Sequence, residues 1–186
     1  MATLGVGIIG VSPVRGWAAT AHIPALRALP SYEIRALSAH NAESARAAGE
    51  AFGVSAVFSD HEQLVTQPDI DLVAVTVKVP HHRALVSAAL AAGKAVYCEW
   101  PLGRDLEDTR AMAALAAERG VRTVVGLQAR QAPAIEFVQQ LLRDGYVGEV
   151  LSTSRATSWS SPTHTCSTKQ TAPTCSPSQS ATAWTF

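Results

Sequence analysis

The residues nearest the start of the chain that could do chemistry are two glycines, a serine and an arginine. Gly10, Ser12, Arg15 and Gly16 directly follow an apolar run that begins at Leu4. Glycine permits a tight turn, while a hydroxyl, a guanidinium and the N–H groups that open a helix can bind phosphate oxygens. The pattern predicts a pyrophosphate site, in which Gly10 makes the turn and Gly16 lets helix and strand pack closely.

A literal glycine fingerprint also occurs in Gly5, Gly7 and Gly10, but it lies too early. Gly5 and Gly7 fall inside the predicted strand, whereas a phosphate-binding turn begins where the strand ends. Relative to the usual motif, Ser12 replaces the middle glycine and the loop is longer. A glycine-rich turn with only a structural role explains the same letters.

The end of the second predicted strand bears on the choice between NAD and NADP. A dinucleotide site usually has an acid there, which binds the adenosine ribose hydroxyls. This chain has Ser38, Ala39, His40 and Asn41 instead. Because no carboxylate would repel a 2′-phosphate, we expect NADP to be at least as acceptable as NAD, with Ser38, His40 or Asn41 in contact with that phosphate. A loop with a helix cap is the alternative for the same residues.

The elements that must position these residues follow from an alternation of β-branched runs and Ala-rich helical patterns. This alternation predicts an α/β fold with a doubly wound parallel sheet of the NAD(P)-binding Rossmann type. Ligands bind such sheets at the carboxyl ends of the strands. The predicted strands span 4–11, 33–38, 72–77, 95–98 and 122–127. The predicted helices span 17–29, 42–52, 61–67, 82–92, 106–119 and 134–143.

Composition argues against several classes of protein. The formal net charge of zero provides no basic field for direct binding of nucleic acid or anionic lipid. Apolar runs end well before the ~20 residues of a membrane span, so we expect a cytoplasmic protein without membrane association. The three cysteines and His164 match no zinc spacing, and we predict no metal site.

The composition changes near residue 150. Residues 1–150 are expected to form the dinucleotide-binding domain, whereas about half of the residues beyond are serine or threonine, with several prolines. We expect residues 151–186 to be a disordered tail. A truncated or frameshifted second domain is the preferred explanation, and a regulatory or linker segment is the alternative.

Several spaced motifs occur together in the first 151 residues. They are Gly10, Pro80 and His82 before Ala92-Gly93-Lys94, Glu99-x-Pro101, the run at 126–133 and the run at 145–150. In these motifs and their order the chain resembles the Gfo/Idh/MocA family of oxidoreductases. The resemblance implies a domain that binds NAD or NADP, an activity on a sugar or polyol, and a second domain that supplies substrate contacts.

The resemblance also implies cofactor contacts for residues near the predicted turns and strand ends. These residues are Trp17, Val79, Pro80, His82, Glu99, Trp100, Pro101, Gln128 and Arg130. Glu99 would contact the nicotinamide ribose. Simpler roles stay open: core packing for Trp17, orientation of a helix for His82, and an ion pair with Glu136 for Arg130.

Trp100 stands where the family has a lysine that helps to bind the reacting hydroxyl. A tryptophan stacks or fills space but cannot supply a cation or a proton. Lys78 is the candidate catalytic replacement, because it ends a predicted strand, and an ordinary solvent-facing lysine is the alternative.

The Glu99-Trp100-Pro101 form more closely resembles the branch of galactose-regulon repressors. That branch implies binding of NAD(P) and a protein partner without turnover. An inactive product is a further alternative, because the second domain is not recognisable after Leu151. Its absence would expose an apolar surface and favour self-association.

Overall fold

The structure, a computed structural model, describes residues 3–151. The tail predicted to be disordered, from residue 152 onward, lies outside the described residues. The chain divides into two compact units between Ala132 and Pro133. The domain boundary predicted near residue 150 stays a prediction.

The first unit contains a six-stranded parallel sheet, which confirms the predicted doubly wound α/β fold. The strand order is β3-β2-β1-β4-β5-β6, so the direction of winding reverses between β1 and β4. The strands are β1 Leu4–Ile9, β2 Tyr32–Ser38, β3 Ala56–Phe58, β4 Leu72–Val75, β5 Ala95–Glu99 and β6 Thr123–Gly126. All five strand pairs are parallel.

Helices connect the strands and cover the sheet. They are α1 Ile23–Ala28, α2 Ala42–Phe52, α3 His61–Val65, α4 His82–Ala91 and α5 Leu106–Arg119, with a π-helical turn at Ala18–His22 and 3₁₀ turns at Val79–His81 and Gln128–Gln131. The first predicted helix, 17–29, is therefore a π-helical turn followed by a short α-helix.

Two apolar clusters form the core. Val6 and Ile8 of β1 belong to one cluster with Ile23 of α1, whereas Ile9 belongs to the other cluster with Leu90 of α4. Neighbouring residues of a strand point to opposite faces, so β1 is apolar at nearly every position. This burial on both faces anchors the ends of the strands, where the candidate site lies.

Several predicted element boundaries are wrong. β1 ends at Ile9 rather than residue 11, because Gly10 has a φ of +96° and leaves the extended conformation. β4 ends at Val75 rather than residue 77. β3 was not predicted, since three partly buried residues at the edge of a sheet give no recognisable apolar run.

The second unit contains α6, Pro133–Arg143. Proline suits the first turn of a helix, where its missing N–H would have no partner. Phe137, Val138 and Leu142 of this helix are exposed, as is Tyr146 after it. No helix among residues 3–151 is long and apolar enough to span a membrane.

Candidate functional site

The loop after β1 is built on Gly10 and its contacts with two neighbouring segments. The N–H groups of Gly10 and Val11 donate to the carbonyl of Ser38, at 2.9 and 3.1 Å. A Cβ on Gly10 would lie 2.5 Å from Cγ1 of Val77, and the φ of +96° disfavours other residues as well. Glycine therefore lets the segments after β1 and β4 approach at the point where the sheet reverses direction.

The next part of this loop has backbone donors without protein partners. Within the described chain, the N–H groups of Ser12, Val14, Arg15 and Gly16 donate to no carbonyl or side chain. Exposed N–H groups beside a guanidinium suit an anion such as a pyrophosphate. The donors in this loop therefore fit the phosphate groups of a dinucleotide.

Two expectations about this loop are wrong. A Cβ on Gly16 would meet nothing within 4 Å, so close packing does not explain this glycine. Its φ of +102° does, because few other residues adopt that conformation. Trp17 is 51% exposed and is not a core residue.

The polar groups at the end of β2 form hydrogen bonds within the protein. Ser38 is buried, and its carbonyl accepts the two hydrogen bonds from the loop after β1. Asn41 caps α2, since its Oδ1 accepts from the N–H of Ser44 at 2.7 Å. This confirms the helix cap considered as an alternative. His40 is exposed, with its Nε2 2.9 Å from Nδ2 of Asn41.

Glu99 joins three segments at the carboxyl ends of the strands. It ends β5, and its Oε1 is hydrogen-bonded to Nε2 of His22, the last residue of the π-helical turn. Its Oε2 accepts from Nε2 of Gln128, just after β6, at 2.6 Å. Both carboxylate oxygens are therefore engaged, and the side chain is only 17% exposed.

Tyr97 packs beside this cluster. Its ring lies edge-on to the ring of His22, with 5.1 Å between centroids and an interplanar angle of 71°. A Cβ on Gly126 would lie 2.3 Å from the Tyr97 hydroxyl, so only glycine leaves room for it. Burial and then the charge of Glu99 raise the pKa of Tyr97, against a hydrogen bond with Gln128 that lowers it.

The charge of Glu99 is not balanced by a lysine or an arginine among the described residues. Its effect extends to Cys98 as well. Burial and then the charge of Glu99 raise the pKa of the Cys98 thiol to about 12. The carboxylate therefore places a negative charge at the end of β5, which acts on Tyr97 and Cys98.

His82 is fully buried at the start of α4. Its Nε2 lies 3.0 Å from the carbonyl oxygen of Val77, and its Nδ1 lies 3.1 Å from those of Pro101 and Leu102. The Sγ of Cys98 is 3.3 Å from Nδ1. The ring links the loops after β4 and β5, and it has no exposed surface with which to contact a ligand directly.

The remaining predicted residues lie in loops at the same edge. Lys78, Val79 and Pro80 follow β4, with Lys78 exposed just before the 3₁₀ turn. Trp100, 54% exposed, and Pro101 follow β5 and are joined by a cis peptide bond. Arg130 is exposed in the 3₁₀ turn after β6. The side chains of Lys78, Arg15 and Arg130 form no ion pair within the described chain.

His22 is the residue of this site that sequence reasoning missed. It is the only ionisable residue between Arg15 and Arg27, in a segment otherwise predicted as a packing helix. An isolated ionisable residue in a mostly apolar helical segment was the one sequence feature that could have indicated a functional role. Its partner, Glu99, is 77 positions away, and no local pattern connects the two.

Comparisons with known proteins agree with this geometry. Residues 4–127 match the family described as "Oxidoreductase family, NAD-binding Rossmann fold" (GFO_IDH_MocA). The chain is 44% identical over 124 residues to dehydrogenase aclE of Aspergillus oryzae, covering 66% of this chain and 34% of that protein. It is 30% identical over 158 residues to the galactose/lactose metabolism regulatory protein GAL80 of Saccharomyces cerevisiae, covering 80% of this chain and 36% of that protein.

Solved structures show the same similarity. The open conformation of KijD10, a 3-ketoreductase from Actinomadura kijaniata in complex with TDP-benzene and NADP, superposes with a TM-score of 0.73 at 29% identity. The alignment covers 81% of this chain and 46% of that protein. The chain spans about a third of the length of the two curated relatives described above.

Proposed function

The chain belongs to the Gfo/Idh/MocA oxidoreductase family, whose NAD-binding Rossmann fold it shares, and on that premise we propose that it binds NAD or NADP along the carboxyl edge of its sheet. When bound, the nicotinamide of such a cofactor accepts or donates a hydride. The cofactor class predicted from the sequence is that of the family.

The observation that carries this proposal is the loop after β1. It combines four N–H groups without partners in the described chain, at Ser12, Val14, Arg15 and Gly16, with a turn at Gly10 that only glycine fits. The loop lies where the winding of the sheet reverses, which is the usual position of a dinucleotide. We propose Ser12, Arg15 and Gly16 as the pyrophosphate contacts.

The test is a calorimetric titration of the 186-residue chain with NADH and NADPH. Gly16→Asp places a negative charge in the proposed phosphate site, where a side chain meets no steric obstacle. We expect this variant to weaken binding at least tenfold, because a carboxylate repels phosphate at close range. Gly53→Asp is the matched control, since Gly53 also has a positive φ and open space. Equal binding by both variants and the original chain would contradict the proposed site.

The other predicted residues divide between the two halves of the cofactor. A dinucleotide places its adenosine near the end of β2 and its nicotinamide near β4 and β5. We therefore propose that Ser38 and His40 contact the adenosine ribose. Because no carboxylate lies at the end of β2, the 2′-phosphate of NADP would not be repelled there. Because Ser38 is buried, only its small accessible surface could contact the ribose.

The nicotinamide half would be held by residues of the loops after β4, β5 and β6. We propose the Val79-Pro80 and Trp100-Pro101 segments, Glu99, Gln128 and Arg130 for these contacts, with His82 positioning the first two segments from beneath. Lys78 is the proposed catalytic lysine, since it is exposed beside this half and stands in for the lysine that Trp100 replaces.

We propose that the whole protein acts on a sugar or polyol. The support is the family membership and relatives such as the D-apiose dehydrogenase of Paraburkholderia graminis, which is 38% identical over 127 residues. Oxidation of a panel of aldoses and polyols, followed by NAD(P)H absorbance, tests this activity. Loss of turnover in Lys78→Ala with unchanged cofactor affinity would support the proposed role of Lys78.

A regulatory role is the second candidate. Its support is the similarity to GAL80, together with a half-exposed Trp100 at the position of the family lysine. A regulator of this kind binds NAD(P) without turning over any member of the substrate panel. Turnover of a sugar or polyol at an ordinary enzymatic rate would exclude this alternative in favour of the enzyme.

Two further predictions accompany the proposal. Self-association through an apolar surface is supported by the exposed Phe137, Val138 and Leu142 of α6. Light scattering at increasing protein concentration would reveal it as a rising mass. The cytoplasmic location stays a prediction, which fractionation of cells that express the native protein would test.

A further inference from the structure

Glu99 ends β5 at the carboxyl edge of the sheet and is held there by two neighbouring side chains. Its two oxygens are bound by an imidazole, that of His22, and an amide, that of Gln128. No lysine or arginine in the described chain pairs with it, and the residue that follows is Trp100. A carboxylate in this position carries a negative charge with little exposure to water, since its side chain is 17% exposed.

From this arrangement we propose that Glu99 makes the site select the oxidised form of the cofactor over the reduced form. The inference rests on the proposed cofactor binding. The nicotinamide ring carries a positive charge when oxidised and none when reduced, whereas the phosphates are the same in both forms. A fixed negative charge on the nicotinamide side therefore distinguishes the two forms by electrostatics alone.

The position of Glu99 in the fold supports this assignment. β5 belongs to the half of the sheet that faces the nicotinamide in a dinucleotide-binding fold. Glu99 is its last residue, and the hydrogen bonds from both sides fix the carboxylate at that end. Low exposure to water reduces screening, so the charge acts more strongly than it would on an open surface.

The charge of Glu99 is also felt by neighbouring groups. It contributes to the raised pKa of Tyr97 and to that of Cys98, after burial in both cases. A carboxylate that disfavours nearby anions in this way favours a nearby cation. A domain with this preference responds to the ratio of oxidised to reduced nicotinamide.

The experiment compares the dissociation constants of NADP⁺ and NADPH, and of NAD⁺ and NADH, by calorimetry on the 186-residue chain at pH 8. Glu99→Gln keeps the size of the side chain and removes the charge. We expect the ratio of oxidised to reduced dissociation constants to rise by roughly tenfold in this variant, through weaker binding of the oxidised form. Glu118→Gln, at the far end of α5, is the control for a change of one unit in net charge.

Trp100→Lys provides a second variant, which keeps Glu99 and places a cation beside it. The added cation should also weaken binding of the oxidised form and so raise the ratio of oxidised to reduced dissociation constants. This variant tests the inference if Glu99→Gln does not fold. An unchanged ratio in folded variants that bind both forms would overturn the inference and leave the proposed function intact. Failure of the original chain to bind any of the four nucleotides would instead overturn the proposed function.

Discussion

Two carboxylates, Asp108 and Glu99, show how differently this chain treats a negative charge with little access to water. Asp108, on α5, is 2% exposed and accepts hydrogen bonds from Arg83 at 2.9 Å and Arg104 at 2.7 Å. Glu99, at the end of β5, is bound instead by the imidazole of His22 and the amide of Gln128, with no lysine or arginine partner among the described residues. A carboxylate that serves the fold is paired with cations, because an unpaired charge is costly to bury. The absence of a lysine or arginine partner for Glu99 among the described residues supports its proposed role in binding.

The electrostatics of the two groups agree with this difference. Hydrogen bonds from Arg104 and then Arg83 hold the pKa of Asp108 well below its usual range. The charge of Glu99 instead helps to raise the pKa values of the neighbouring Tyr97 and Cys98. The charge of Asp108 is stabilised by its neighbours, whereas the charge of Glu99 shifts the pKa values of its neighbours.

The largest expected effect on stability comes from substitution of His82, which lies between the segments that carry Glu99 and Asp108. Its ring contacts the loop after β5, and the next residue, Arg83, pairs with Asp108. His82→Leu leaves buried carbonyl groups without a donor and should lower the free energy of unfolding by about 3 kcal/mol. Urea denaturation measures this loss. His82→Gln, which retains a donor, should recover part of it, and equal losses in both variants would show that the hydrogen bonds are unimportant.

The next effect is a loss of stability in Asp108→Asn. The variant removes the charge that two guanidinium groups share, and we expect a fall in melting temperature of several degrees. Differential scanning calorimetry measures the shift. The affinity for NADPH should not change, because Asp108 supports the packing of α4 against α5 and not the sheet edge. A large loss of affinity with an unchanged melting temperature would reverse the roles assigned to the two carboxylates.

Asp108 also predicts a dependence of stability on pH. Its pKa is lower in the folded chain than in the unfolded one, so its contribution is fully present above the unfolded value of about 4. The contribution is lost as the pH falls from there toward the lower folded value. Urea denaturation at pH 6, 4 and 3 should show a smaller decline in Asp108→Asn than in the original chain. Identical declines would mean that Asp108 is not stabilised by its arginines.

The smallest effect on stability is expected for Glu99→Gln. The introduced amide can still accept from His22, and the amide of Gln128 can rotate to present its oxygen. Because no lysine or arginine of the described chain loses a partner, we expect the free energy of unfolding to change by about 0.5 kcal/mol or less. Urea denaturation beside Asp108→Asn provides the direct contrast. A loss as large as that of Asp108→Asn would make Glu99 a structural residue.

The sequence predicts the fold better than it predicts the site, for reasons visible in particular residues. β1 and β4 are strongly apolar and buried on both faces, so their presence was readable from local patterns. The three residues of β3 pair with β2 and pack against the two core clusters, and no local pattern reveals these contacts. The helical segment 18–22 was expected, but its π-helical geometry was not.

The site depends even more on contacts between distant residues. Glu99 and Gln128 were predicted to lie at the same edge, but their hydrogen bond spans 29 positions. The contact of Glu99 with His22 spans 77 positions and requires the helix after β1 to reach the end of β5. Local sequence shows which residues are polar at strand ends, whereas their pairing is determined by the packing of helices on the sheet.

The most direct test of nucleotide binding at the carboxyl edge is a titration of the ¹⁵N-labelled chain with NADP⁺, followed by NMR. We expect chemical-shift changes at Ser12, Arg15 and Gly16, and at Glu99 and Gln128. We expect none at Lys94, at the opposite edge, where Nζ donates to the carbonyls of Gln67 and Ile70 at 2.8 Å each. Changes confined to the Lys94 edge, or no changes at millimolar NADP⁺, would contradict binding at the carboxyl edge.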